Sequence, residues 1–172
     1  MADSAPKVRE ASLRSLSRLD DLDDTELAVA LSDTSSRVRI AALEIASTRA
    51  GPPIDSLLHD PEPAVVEVAA WACGERPGNT LIVAELAALA TSHDDPLVRE
   101  SAVASLGAVG HEDGLAAVLA ATTDKPAIRR RAVLALAAFE GPEVDAAWER
   151  ARSDRDRQVR DAVDELLGPA GP

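Results

Sequence analysis

The chain has 172 residues and a formal net charge of −12, from 18 Lys and Arg against 30 Asp and Glu. Phosphate backbones and anionic lipid surfaces are bound by clustered Lys and Arg, so this charge balance argues against both nucleic acid and membrane as partners. Aromatic residues make up only 2% of the chain. That is few for a globular core, whereas thin layers of close-packed helices can be filled with Ala, Val and Leu.

A short motif recurs six times along the chain. It is a β-branched anchor residue, usually followed by Arg, that opens an alanine-rich stretch with helical periodicity. The six copies begin at Val8-Arg9, Val38-Arg39, Val65-Val66, Val98-Arg99, Ile128-Arg129 and Val159-Arg160, with spacings of 30, 27, 33, 30 and 31 residues. A period between about 20 and 50 residues is typical of repeat proteins, in which each unit contacts only its neighbours.

A second helical stretch lies between successive motifs, and a turn carrying Asp follows each one. We predict these stretches at 22–32, 54–58, 80–90, 114–121 and 143–151. Each repeat is thus an A helix followed by a B helix that begins near the anchor, except that the first copy keeps only its B helix. The predicted fold is all-α, a single right-handed α-solenoid domain over 1–172. It has about five and a half helix pairs, at approximately 4–19, 20–50, 51–77, 78–110, 111–141 and 142–168.

The B helices present one apolar arc to the core. The anchor and the positions four, five and eight residues after it are apolar or small in nearly every copy, as in Ala102, Val103 and Leu106. The Arg after the anchor falls on the inner side of this arc, where it needs a carboxylate partner. We therefore predict a structural ladder with the turn Asp of the same or a neighbouring repeat, in the pairs Asp33/Arg39, Asp94/Arg99, Asp124/Arg129 and Asp154/Arg160.

The positions two and six residues after each anchor lie opposite the core arc and are predicted to line a concave groove. They carry six carboxylates against two arginines, together with apolar side chains at Ile40, Trp71 and Leu134. An acidic groove with an exposed Trp favours a partner protein or peptide that has a basic and apolar segment. The predicted partner-binding residues are Glu10, Ile40, Glu44, Glu67, Trp71, Glu100 and Leu134.

The clearest copies, at 94–110 and 124–141, resemble the HEAT-like repeats of phycobilisome-lyase type. This resemblance implies a helical repeat fold but leaves the function open between scaffolds, adaptors and a few enzymes. We predict a non-catalytic protein- or peptide-binding adaptor. The alternatives are an accessory, lyase-like subunit that acts with a partner chain, and a purely structural module of a larger protein.

The sequence lacks the characteristic residues of two enzyme classes that are built from similar repeats. Deoxyhypusine hydroxylases hold two irons through His-Glu dipeptides at the start of B helices, whereas the single dipeptide here, His111-Glu112, lies in a turn. DNA glycosylases built from similar repeats line the concave face with Lys and Arg, and this chain lines it with acids. We therefore predict no catalytic residues.

Metal binding and redox chemistry are likewise not predicted. His59-Asp60 and His93-Asp94 occupy equivalent turns and are expected to be solvated turn residues rather than zinc ligands. Cys73 falls among the core positions. We predict no metal or cofactor. The single cysteine together with the absence of an apolar leader favours a cytoplasmic protein. The excess of Arg over Lys and the abundance of Ala favour a bacterial one.

Overall fold

The structure is a computed structural model that describes residues 3–76 and 80–168. Over these ranges the chain is entirely helical, with ten α-helices, several short 3₁₀ segments and no strand. The α-helices are α1 Pro6–Arg18, α2 Asp24–Leu31, α3 Ser36–Ala46, α4 Pro63–Gly74, α5 Val83–Ser92, α6 Pro96–Val109, α7 Leu115–Ala121, α8 Pro126–Ala135, α9 Pro142–Ala151 and α10 Arg157–Leu167. The predicted α-solenoid fold class is confirmed: α1, α3, α4, α6, α8 and α10 are the B helices, and α2, α5, α7 and α9 are A helices.

Proline and aspartate fix where the helices begin. Pro stands in the first turn of α1, α4, α6, α8 and α9, where its missing N–H costs no hydrogen bond. The acidic run before α2 forms a capping box, because the Asp23 carboxylate accepts from the Glu26 N–H while the Glu26 carboxylate accepts from the Asp23 N–H. The acidic run thus stabilises a helix N-terminus.

The helices form two compact units, Met1–Arg76 and Pro77–Pro172. In the first unit α1 packs on α3 and α3 on α4, and in the second α6 packs on α8 and α8 on α10. The anchors of the last five copies are almost completely buried, as predicted. The anchor of the first copy is an exception, since Val8 is 47% exposed. Within the described residues no A helix precedes α1 to cover this side chain.

Gly107 allows α6 and α8 to approach each other closely. A Cβ atom built on Gly107 would lie 2.7 Å from both Cα and Cβ of Ala135. Real Cβ atoms essentially never lie so near backbone atoms, so any other residue here would push the two helices apart. Small residues therefore set the B-helix spacing in the second unit.

The third repeat departs from the others in its A element. After Pro52 and Pro53 the chain forms only a 3₁₀ segment, Asp55–His59, instead of an α-helix. Its side chains still reach the core, because Ile54 and Leu58 are buried. The sequence spacing of 27 before the third anchor corresponds to this shortened element.

We expect amide hydrogen exchange to be fastest around residues 50–62. The 3₁₀ segment contributes few main-chain hydrogen bonds, including Leu57 N–H to Ile54 O and Asp60 N–H to Leu57 O, and such bonds have poorer geometry than α-helical ones. The measurement is native-state exchange followed by mass spectrometry, with α7 as the matched control A helix. Uniform protection across all repeats would contradict the prediction.

None of the helices in the described ranges has the length and apolar character needed to cross a membrane.

Candidate partner-binding surface

Successive repeats of the first unit are joined by arginine–aspartate pairs. Arg9 donates from Nε and Nη2 to the two carboxylate oxygens of Asp33, at 2.8 and 2.6 Å. Arg39 binds Asp60 in the same way, with both distances at 2.7 Å, and its Nη1 donates to the main-chain oxygen of Asp33 at 2.8 Å. Each guanidinium therefore links the turn of its own repeat to the turn of the next one.

The second unit repeats this arrangement. Arg99 binds the carboxylate of Asp124 at 2.7 and 3.0 Å, and Arg129 binds that of Asp154 at 2.9 and 2.7 Å. Arg160 donates to the main-chain oxygen of Asp154 at 2.6 Å. Bidentate pairs of this kind are both directional and strong.

The observed Arg–carboxylate pairs differ from the predicted pairs by one repeat. In Asp33/Arg39, Asp94/Arg99, Asp124/Arg129 and Asp154/Arg160 the Arg contacts the main-chain oxygen of the Asp, at 2.6 to 3.1 Å. Where the structure gives the Arg a carboxylate partner, that carboxylate belongs to the following repeat. The carboxylates of Asp33, Asp124 and Asp154 each accept from a main-chain N–H of their own turn and from the Arg of the preceding repeat. The main-chain oxygen of the turn is therefore the acceptor that meets the Arg of the same repeat.

These pairs lower the pKa values of their carboxylates. The pKa of Asp124 lies below its ordinary value of 3.8, chiefly because Arg99 donates a hydrogen bond to it, with burial opposing the shift. The pKa of Asp154 is lowered in the same way by Arg129, and that of Asp33 by Arg9. A depressed carboxylate pKa stabilises the fold at pH values above the unfolded pKa, and this contribution is lost as the pH falls through the folded pKa.

Acid is therefore expected to destabilise the protein through these pairs. The free energy of unfolding should fall as the pH drops below about 4, where the unfolded carboxylates begin to protonate. Urea unfolding at several pH values measures this dependence. Asp124→Asn should have a lower free energy of unfolding than the parent chain at neutral pH. On acidification this free energy should fall less in the variant than in the parent chain. An equal acid loss in both proteins would contradict the assignment.

The predicted groove residues of the first unit lie on the B helices, but several of their charges are already paired. Glu10 accepts hydrogen bonds from Arg37 and from Arg14, and Arg14 also binds Glu44 at 2.6 Å. We call these four side chains, Arg37, Glu10, Arg14 and Glu44, the charge row. The charge row contains two acids and two bases and is therefore neutral. One of the bases, Arg37, was not among the groove positions predicted from the sequence.

Trp71 is the exposed aromatic of this surface. It lies four residues after Glu67 on α4, so both side chains leave the same side of that helix. The Trp71 side chain is 39% exposed, in contrast to its buried neighbours Ala70 and Ala72. Ile40, on α3, is only half-buried. Part of Trp71 therefore packs within the protein, and the remainder is open to a partner.

The two predicted groove residues of the second unit are Glu100 on α6 and Leu134 on α8. Oε1 of Glu100 lies 3.6 Å from Nη2 of Arg131, a residue for which no role was predicted from the sequence. Leu134 is half-buried rather than exposed, because it packs with Trp148 against a cluster that includes Val133 and Val163. Trp148 also donates from Nε1 to the main-chain oxygen of Val133 at 3.1 Å. Leu134 therefore contributes to packing between repeats.

His93 and His111 lie in the connections between helices, and His59 is the last residue of the 3₁₀ segment Asp55–His59. Nδ1 of His93 accepts from the Asp95 N–H, and Nδ1 of His111 accepts from the Asp113 N–H. Across the described ranges, no three His, Cys, Asp or Glu side chains are grouped so that they could hold a metal ion. Cys73 is buried.

Two solved structures with similar folds are designed armadillo repeat proteins. The first, YIII(Dq.V1)4CPAF in complex with the peptide (KR)4, has a TM-score of 0.66 and 18% identity over 95% of this chain and 94% of that one. The second, YIII(Dq)4CqI, has a TM-score of 0.61 and 18% identity over 96% and 94%. At this level of identity the likeness concerns the fold. No curated protein sequence matches this chain.

A family model supplies the classification. The model of HEAT repeats matches residues 50–137 and 83–168, which together extend over 50–168. This range includes four of the six B helices and all of the second unit's helix pairs. The chain therefore belongs to the family of HEAT-repeat proteins.

Proposed function

We propose that this protein is a non-catalytic scaffold that binds a protein or peptide on the exposed face of its B helices. The proposed partner presents a basic segment with an apolar side chain. The HEAT-repeat fold supports a scaffold role in general, because such repeats offer extended surfaces made of successive helices. The designed armadillo neighbour, whose structure contains the peptide (KR)4, supports a peptide as a suitable partner for this architecture.

The exposure of Trp71 is the observation that carries the proposal. Trp is among the residues most enriched in binding hot spots. The adjacent Glu67 supplies a carboxylate on the same side of α4. We propose that Trp71 packs against the apolar side chain of the partner while Glu67 attracts its cationic group.

Charge supports a basic partner, although the charge row itself is balanced. The unit Met1–Arg76 contains 14 acidic and eight basic residues, which leaves it at −6. A negative field of this kind accelerates encounter with a cation. We assign Glu10, Ile40, Glu44, Glu67 and Trp71 to this surface, and we propose Glu100 and Leu134 as the corresponding residues of the other unit.

Trp71→Ala and Glu67→Lys are each expected to weaken binding of a basic peptide without unfolding the chain. The probe is a labelled octapeptide of alternating Lys and Arg with one central Leu, followed by fluorescence anisotropy. Truncating a hot-spot Trp is typically worth about 2 kcal/mol, so Kd should rise about thirtyfold in Trp71→Ala. Far-UV circular dichroism should be unchanged.

Two variants serve as controls for this measurement. Trp71→Phe keeps an aromatic ring and should retain most of the affinity. Glu149→Lys makes the same charge change at an exposed position of α9, where Glu149 is 79% exposed, and should bind nearly as well as the parent chain. If Trp71→Ala and Glu67→Lys bind the peptide with full affinity, the assigned surface is wrong.

The phycobilisome-lyase subtype leads to an alternative function, an accessory subunit that acts on a tetrapyrrole together with a partner chain. The repeat period near 30 residues, shorter than in standard HEAT units, is the observation behind this alternative. Absorbance of the purified protein mixed with a bilin would test it, since a spectral change on mixing favours the accessory subunit over the scaffold. We further propose that the protein acts in the cytoplasm, where a lone buried cysteine is stable.

A further inference from the structure

A cleft lies beside α2 in the first unit, at the place where a full A helix would pack in a regular repeat. In the second unit the A helices α5 and α7 pack directly against each other. In the first unit the neighbour of α2 is the 3₁₀ segment Asp55–His59, and a cleft of about 540 Å³ opens between the two. The apolar side chains that line it are Ala28 and Leu31 on one wall and Pro52, Pro53, Leu57 and Pro61 on the other.

The walls of the cleft are held in place by hydrogen bonds to the main chain. Nη1 of Arg76 donates to the oxygen of Pro52 at 2.9 Å, which fixes the start of the proline wall. Arg39 at the floor binds the Asp60 carboxylate at 2.7 Å and the oxygen of Asp33 at 2.8 Å. A ligand would therefore enter a site whose shape already exists, and little ordering of the protein would oppose binding.

The net charge around the cleft is negative, although Arg39 lies at its floor. The sequence of α2 and of residues 52–62 contains five acidic residues and no Lys or Arg. Within this set Asp60 is paired with Arg39, and Asp24 is paired with Arg49 at 2.7 Å. Asp55 and Glu62 are exposed, and each directly neighbours in sequence a residue that lines the cleft, Ser56 or Pro61. The rim therefore complements a cation, while the interior complements an apolar group.

We propose that this cleft is a second docking site, for a cationic segment of a partner protein. The segment inserts an apolar side chain between α2 and the 3₁₀ segment and places Lys or Arg beside Asp55 and Glu62. The volume lies within the range of about 300–1,000 Å³ that is usual for ligand pockets. This segment has the same basic and apolar character as the partner in the proposed function, but it binds a different surface from that of Trp71.

The test is an NMR titration of the full chain with two capped pentapeptides, one alternating Leu and Lys and the other alternating Leu and Gln. The Lys peptide should shift the amide signals of Leu31, Ser32 and Leu57, and the Gln peptide should bind at least about fivefold more weakly. Ala28→Phe, which places a phenyl ring in the cleft between its two walls, should abolish these shifts. Asp55→Lys should weaken binding about fivefold, whereas Asp145→Lys, the same change in the first turn of α9, should leave it unchanged.

The proposal is overturned if the Gln peptide binds as tightly as the Lys peptide, or if Asp55→Lys binds like the parent chain. It is also overturned if concentration-dependent self-association, abolished by Ala28→Phe, shows that a second copy of the chain fills the cleft. Repeating the titration in Trp71→Ala separates the two surfaces. If the amide shifts at the cleft persist in that variant, they support the cleft site independently of the Trp71 surface. If they are lost, the proposal for the cleft is refuted.

Discussion

Replacing Arg129 with alanine is expected to lower the free energy of unfolding by about 2–4 kcal/mol. The Arg129 side chain is 7% exposed and that of its partner Asp154 is 15% exposed. Removing the guanidinium leaves this carboxylate without its cation and also leaves the oxygen of Asp124 without a donor. The residual exposure places the expected loss somewhat below that of a completely buried pair. Chemical unfolding of the two proteins measures the difference.

Arg131→Ala is the matched control, because it removes the same side chain from the same helix. Arg131 is 40% exposed and its contact with Glu100 is long, at 3.6 Å, so the expected loss is below about 1 kcal/mol. Arg99→Ala should behave like Arg129→Ala. If either ladder variant lost peptide binding while its melting temperature stayed unchanged, the structural assignment of the ladder would be wrong.

Gly107→Ala is expected to destabilise the second unit by about 1–2 kcal/mol, and Gly107→Val by more. The added Cβ would overlap Cα and Cβ of Ala135, which cannot move without moving α8. The better helix propensity of Ala, worth up to about 1 kcal/mol, offsets part of this cost. The measurement is again chemical unfolding.

Gly114→Ala provides the comparison for Gly107. Its added Cβ would lie 3.0 Å from Cδ2 of Leu106, the end of a flexible side chain, and a rotamer change relieves that contact. We expect a smaller loss than for Gly107→Ala. Equal or higher stability of Gly107→Ala would show that the B helices of this unit are not in contact at this position.

The helix pairs could be predicted from sequence because the signals are local. An Asp or Pro turn, a β-branched anchor and a helical apolar period all lie within about 15 residues of one another. The predicted A helix at 114–121 corresponds to α7 Leu115–Ala121, and the one at 143–151 to α9 Pro142–Ala151. Even the weak stretch at 54–58 corresponds to a helical element, the 3₁₀ segment.

The side-chain partners were harder to predict, because they depend on how one repeat stacks on the next. Arg99 has an Asp five residues before it and another 25 residues after it, and sequence spacing favours the nearer one. Only the stacking of turns shows that the farther Asp supplies the carboxylate. The same reason explains Arg37, which binds Glu10 from the preceding repeat. It also explains Leu134, whose burial comes from α9 and α10.

The forward direction of the arginine–aspartate pairs bears on how such a chain can change its length during evolution. The series Arg9, Arg39, Arg99 and Arg129 shares one arrangement: each binds a carboxylate of the turn after it and a main-chain oxygen of the turn before it. Removing residues 125–154 would place Arg160 six positions after Asp124, the same separation that it has from Asp154. The pair between Arg99 and Asp124 would remain, and no carboxylate of the series would lose its cation. Loss of a whole repeat of about 30 residues therefore removes one Arg together with the Asp that it binds, and duplication adds one further pair. Such an array can thus gain or lose a repeat by recombination without a compensating substitution among these Arg and Asp residues.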